Sequence, residues 1–111
     1  MSTVIVLNRD SMGHGDEALG KKILPTFLRK LVAFGDKLEA IVLYNSGVKL
    51  AAKDSPVAVE LTQLHESGIE VLPCTTCVEH FGLVGKLIVE KPCSMDEIIA
   101  TLRRAEKVIT V

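Results

Sequence analysis

A chain of 111 residues with a formal net charge of −1 and a pI near 6.3 builds one hydrophobic core, and it lacks the clustered positive charge that a nucleic-acid partner demands. Its 48% hydrophobic content, with one Tyr, three Phe and no Trp, describes an aliphatic core suited to a sheet covered on both faces, and excludes a base-stacking platform. No apolar run approaches the roughly 18 residues that span a bilayer, and an odd number of cysteines does not fit a secreted disulfide framework, so a cytoplasmic setting without membrane contact is expected.

Residues 3–7 are β-branched and continuously apolar, and they read as a buried first strand. They meet Asn8-Arg9-Asp10 at once, with no basic leader or cleavage site, which argues against a signal peptide. The turn 8–15 follows, and Asp16 is the expected N-cap of a long helix. On that helix Leu19, Ile23, Leu24, Phe27, Leu28, Leu31 and Val32 recur at three- and four-residue spacing. Gly35-Asp36 ends it. Pro25 predicts a kink or a helix in two pieces, because a mid-helix proline removes a hydrogen bond and clashes with the preceding turn.

Residues 39–44 form the second predicted strand, ending in Asn45-Ser46-Gly47. Ser55-Pro56 supplies the N-cap and first position of a helix with Val57, Leu61 and Leu64 inward, closed by Gly68. Residues 69–72 are the third strand and deliver Pro73-Cys74; a short helical turn over 75–81 stops at Gly82. Residues 86–89 read as a weaker fourth strand. Ser94-Met-Asp-Glu97 is a capping box that starts a helix with Ile98, Ile99, Leu102 and Ala105 inward, and residues 107–111 make the fifth strand.

Strands alternating with amphipathic helices predict a single α/β domain over residues 1–111, its mainly parallel sheet covered by helices on both faces. In open sheets of this kind chemistry gathers beyond the carboxyl ends of the strands. Three loops leave those ends, residues 8–15, 45–49 and 73–77, and they hold nearly all the unusual residues. Cys74 follows the third strand directly and Cys77 lies one helical turn on. A helix N-terminus lowers a thiol's pKa, and thiolate is the reactive species. Cys74 is therefore the candidate nucleophile or sulfur carrier, with Cys77 as partner or resolving thiol. The plainer alternative is two semi-buried cysteines packed as small hydrophobes.

Cys93 could reach the same edge and complete a three-thiol set, or be incidental. His80, three residues after Cys77, shares its helix face and is a candidate thiolate partner or metal ligand; a solvent-facing histidine is the plainer reading. Gly13-His14-Gly15-Asp16 lacks the full dinucleotide fingerprint and the lysine of a P-loop, so no nucleotide cofactor is expected. Its backbone could still hold a small anion. Asn8, Gly13, His14, Gly15, Asn45, Ser46 and Gly47 are the candidate ligand-binding residues, the last three offering hydrogen bonds beside the thiol, although an ordinary turn uses the same residue types. A zinc set of Cys74, Cys77, Cys93 and His80 matches no standard module, and no metal is assigned.

Four segments together resemble a known family: Asp10-Ser-Met-Gly-His-Gly-Asp16, Tyr44-Asn-Ser-Gly-Val-Lys-Leu50, Cys74-Thr-Thr-Cys77 followed by Phe81-Gly-Leu83, and Ala105-Glu-Lys-Val-Ile-Thr110. The chain resembles the DsrE/DsrF-like group, most closely the C-terminal DsrE-like domain of YedF-type proteins, described as sulfurtransferase-like and linked to selenium metabolism. The resemblance implies a three-layer α/β/α domain with a five-stranded parallel sheet, homo-oligomeric assembly, and a cysteine that accepts sulfane sulfur as a persulfide. The spacing to Gly82 matches Cys74 to the sulfur-accepting position of related relay subunits. YedF-type proteins usually carry a TusA-like domain with a Cys-Pro motif; nothing here corresponds to it, so a separate sulfur donor or acceptor protein, such as a TusA-like one, is the implied partner. Pro25 and Cys93 depart from the family pattern. The alternative function is a non-catalytic module of the same fold that binds a metal or small ligand through Cys74 and Cys77 and acts in oligomeric assembly.

Overall fold

The computed structural model describes residues 2–111, with side chains throughout except for residues 34–36. Strand β1 (Thr3–Leu7) leads through helix α1 (Glu17–Lys30) and a 3₁₀ segment (Leu31–Lys37) to β2 (Leu38–Leu43). A second 3₁₀ segment (Asn45–Ala51) and helix α2 (Ala58–Glu66) lead to β3 (Glu70–Pro73). The short helix α3 (Thr75–His80), helix α4 (Met95–Arg104) and β4 (Lys107–Thr110) complete the chain. The strands form one sheet in the order β3-β2-β1-β4, parallel at every pairing, with Ile5 opposite Ile41 and Ile109, and Val42 opposite Leu72.

The β-branched runs that predict β1 and β2 become the centre of the sheet because both their faces are covered. Val4, Ile5, Ile41, Val42 and Leu43 are wholly enclosed; burying each such side chain contributes about 1.5–3 kcal/mol. Steps from β1 to β2 and β2 to β3 run one way across the sheet and the step from β3 to β4 runs back. Right-handed crossovers therefore place α1 and α2 on one face and α4 on the other. The inward faces are narrower than the periodicity predicts. Leu24, Leu28 and Leu31 are buried, whereas Leu19, Ile23 and Val32 are exposed; on α4, Ile98 is buried and Ile99 exposed.

The sheet has four strands, not five. Residues 86–89 have a strand-like composition, yet they follow turns at Gly82 (φ +67°) and Gly85 (φ +77°) and precede Pro92, which has no N–H to give a ladder. Their backbone is spent on residues 51–53 instead: Lys53 N–H donates to the Lys86 carbonyl and Ile88 N–H to the Ala51 carbonyl, both at 2.8 Å. Beside β3, where a fifth strand would lie, the chain makes a single parallel bridge between Cys74 and Cys93.

Two smaller expectations also change. Pro25 lies inside α1, which is continuous to Lys30 rather than split; the regular helix gives way to 3₁₀ only at Leu31. Ser55 caps a turn rather than α2, its hydroxyl accepting the Val57 N–H at 3.0 Å while the helix begins at Ala58. The expected caps at Asp16 and Ser94 are both present, Ser94 within a complete capping box. No helix among the described residues is long and apolar enough to cross a membrane.

Candidate functional site

Because all four strands run parallel, the loops leaving β1, β2 and β3 emerge at one edge and are stitched together there. The Asp10 N–H donates to Ser46 Oγ at 3.2 Å, joining the first loop to the second. The Asn45 N–H donates to Cys77 Sγ at 3.1 Å, joining the second to α3. The Cys74 N–H donates to the Leu43 carbonyl at 2.9 Å, fixing the strand end itself. Asn45 takes a left-handed backbone, φ +52°, which asparagine tolerates better than most residues. Its Oδ1 accepts the Ser46 N–H at 2.8 Å, so the turn is held from within.

A polar cavity of about 480 Å³ opens between the first two loops. Asn8, Gly13, His14, Gly15, Asn45 and Ser46 all line it. Gly47 does not: it is buried beneath, where an added Cβ would stand 2.1 Å from the Leu7 carbonyl oxygen. Its role is to let β2's exit pass close to the end of β1. Sequence reasoning missed Arg9, Asp10, Ser11 and Glu17, which share the lining. Arg9 Nη1 donates to the Gly13 carbonyl at 3.3 Å and lies 3.3 Å from His14 Nδ1. The available signal was adjacency: these residues belong to the same turn as the predicted ones. An apolar groove of about 450 Å³, lined by Leu31, Val32, Leu38 and Ile69 among others, lies near the amino ends of β2 and β3, away from the thiols. The polar cavity is the one linked to a thiol, through Asn45, which lines it and whose N–H donates to Cys77 Sγ.

All three cysteines are free thiols. Cys74 is 3% exposed and occupies the N-cap of α3; Cys93 is 4% exposed; Cys77, one turn into α3, is half-buried. The helix was expected to depress the pKa of the thiols at its start, and the Cys77 thiol shifts the other way. Burial pushes the Cys77 thiol up, with the Asn45 N–H pulling against it and the neighbouring Cys74 thiol adding to the rise. Burial, followed by the Glu97 carboxylate, pushes Cys93 up to about 11. At Cys77, on the six-residue α3, burial outweighs the Asn45 N–H that favours the thiolate. Cys77 therefore rests as a thiol whose sulfur accepts the Asn45 N–H.

His80 is exposed and sits edge-on to the Phe81 ring, centroids 4.9 Å apart. Among the described residues no group of three or more His, Cys, Asp or Glu side chains is arranged to hold a metal ion, so the Cys74, Cys77, Cys93 and His80 set does not assemble.

A parallel open-sheet α/β domain, with a buried strand-end thiol, a second thiol one turn on and a polar cavity linked to that second thiol through Asn45, defines a thiol-bearing protein of the α/β class. The sequence model of the DsrE/DsrF-like family matches residues 6–111, and the chain belongs to that family. Solved structures share the fold. The ychN protein of E. coli matches with a TM-score of 0.74 at 16% identity, covering 100% of both chains. MTH1491 of Methanobacterium thermoautotrophicum, a protein of unknown function, gives 0.71 at 19% identity over 99% of this chain and 98% of its own. BT1422 of Bacteroides thetaiotaomicron, also of unknown function, gives 0.65 at 20% identity over 99% and 95%. No curated protein sequence matches the chain.

Proposed function

We propose that the chain is a small sulfur-handling protein in which Cys74 accepts sulfane sulfur, or selenium, as a persulfide and relays it. The observation that carries this reading is the Asn45 N–H held 3.1 Å from Cys77 Sγ, one helical turn beyond the buried Cys74 at the end of β3. Cys74 is nearly enclosed, so sulfur reaches it through the more exposed Cys77. A thiolate at Cys77 attacks the outer sulfur of a donor persulfide, R–S–SH, forming Cys77–S–SH and releasing R–S⁻. Cys74 as thiolate then takes that outer sulfur, leaving Cys77 as thiolate. An N–H bond to sulfur favours the charged form, so the Asn45 N–H assists Cys77 most when Cys77 departs as thiolate. The polar cavity beside Asn45 suits the polar end of a donor or acceptor.

Affinity to YedF-type proteins, a TusA-like donor or acceptor partner and a cytoplasmic setting belong to this proposal. So does homo-oligomeric assembly, which the exposed Leu19, Ile23, Met95 and Ile99 on α1 and α4 support. The test is intact-mass measurement after incubation with a low-molecular-weight persulfide. At the earliest times wild type should gain the mass of one sulfur atom, about 32 Da, as a reducible adduct. Equal gain by the Cys74→Ser, Cys77→Ser double variant would refute the proposal.

A further inference from the structure

We infer that Cys93 is the thiol that discharges a sulfur-loaded Cys74, closing a Cys74–Cys93 disulfide and releasing sulfide. This rests on the persulfide reading above and adds to it a third reacting residue and a product.

Geometry is the first support. The Cys93 N–H donates to the Pro73 carbonyl at 2.7 Å, and the Cys93 carbonyl accepts the Thr75 N–H at 2.9 Å. Those two bonds flank Cys74 and make the two cysteines partners in a parallel bridge. Partners on adjacent strands lie about 4.8 Å apart, inside the roughly 4.4–6.8 Å Cα range of disulfides. Paired positions also direct their side chains to the same face, and both residues are buried. Forming the bond therefore requires little backbone movement.

The resting states of the thiols are the second. Cys77 has the Asn45 N–H on its sulfur, which suits receiving sulfur and leaving as thiolate. Burial and the Glu97 charge keep Cys93 protonated at rest, so it does not compete with Cys74 for incoming sulfur.

The step balances without an external oxidant. Cys93 sulfur attacks the inner sulfur of Cys74–S–SH; the Cys74 S–S bond to the outer sulfur breaks as the Cys74–Cys93 bond forms. The Cys93 proton ends on the departing sulfide. The sum is Cys74–S–SH plus Cys93–SH giving the disulfide plus H₂S. The outer sulfur gains two electrons and the two cysteine sulfurs supply one each. Resetting the site then requires a dithiol reductant, which places thiol–disulfide exchange downstream of this protein.

The test loads the full chain with a low-molecular-weight persulfide, removes the excess, and follows released sulfide and non-reducing peptide maps. In wild type the expected result is a Cys74–Cys93 linkage with one sulfide per linkage. Cys93→Ala, and Cys93→Ser as the volume-conserving check, should retain sulfur on Cys74 and release none. A Cys74–Cys77 linkage in wild type, or sulfide release at the wild-type rate from both Cys93 variants, would overturn the inference while leaving the persulfide reading intact. Absence of sulfur from Cys74 in the Cys93 variants would remove that reading, and this one with it. Diamide oxidation of unloaded protein checks the pairing free of sulfur chemistry: a Cys74–Cys93 crosslink is expected, and an exclusive Cys74–Cys77 crosslink would refute it.

Discussion

Replacing Gly47 with alanine tests how the site is seated on the sheet. A Cβ at Gly47 would stand 2.1 Å from the Leu7 carbonyl oxygen, 2.9 Å from the Leu7 carbonyl carbon and 3.3 Å from the Arg9 nitrogen. All three atoms are backbone, so no side chain can rotate away. Either the end of β1 or the start of the second 3₁₀ segment must move. Overpacking a rigid site costs about 1–3 kcal/mol, and a clash with backbone belongs at the upper end. At about 4 °C per kcal/mol, the melting temperature should fall by about 12 °C. Gly13→Ala is the control: nothing lies within 4 Å of its Cβ, yet its φ of +81° strains an alanine. That strain alone costs about 1–2 kcal/mol. Thermal and denaturant unfolding of both variants give the comparison. The reasoning is refuted if Gly47→Ala loses less than about 1 kcal/mol, or less than Gly13→Ala.

Stability should also depend on alkaline pH through Cys93. Its thiol is raised from 9.0 to about 11 in the folded chain, so the native state holds the proton more tightly than the unfolded one. The contribution is fully present below pH 9 and is lost as pH climbs through about 11. At about 1.4 kcal/mol per decade this amounts to up to about 3 kcal/mol; denaturant melts across that window should be flatter for Cys93→Ala. Sulfur uptake should accelerate with pH through and beyond the ordinary thiol value of 9.0, because the raised Cys77 thiol must ionise first; a rate profile that plateaus near neutrality would count against Cys77 as the receiving group. Ser94→Ala removes the hydroxyl that accepts the Glu97 N–H at 3.2 Å and should cost about 1 kcal/mol, read as a lower denaturant midpoint at unchanged slope.

Much of this molecule is legible in the sequence where one kind of signal suffices. The β-branched run of Val4, Ile5 and Val6, and the matching run of Ile41 and Val42, announce central strands because they bury both faces. Asp16 and Ser94 announce helix starts because a cap is a local hydrogen bond. Residues 86–89 carry the same strand-like composition, but their backbone bonds go to residues 51–53, a long-range choice no local pattern contains. The cavity-lining turn residues were found through the chemistry of tight turns, whereas Arg9 was read as part of the turn and passed over. The pairing of Cys93 with Cys74 depends on one bridge across the whole of α3. The upward thiol shifts depend on burial, which a strand-end position alone does not reveal.

The most direct test of the central claim is tryptic peptide mapping, under non-reducing conditions, of the Cys93→Ala variant loaded with a low-molecular-weight persulfide. The expected result is one added sulfur, about 32 Da, on the peptide carrying Cys74 and Cys77, with fragmentation placing it on Cys74 at completion. Sulfur confined to Cys77, or a peptide of unchanged mass, would contradict the account.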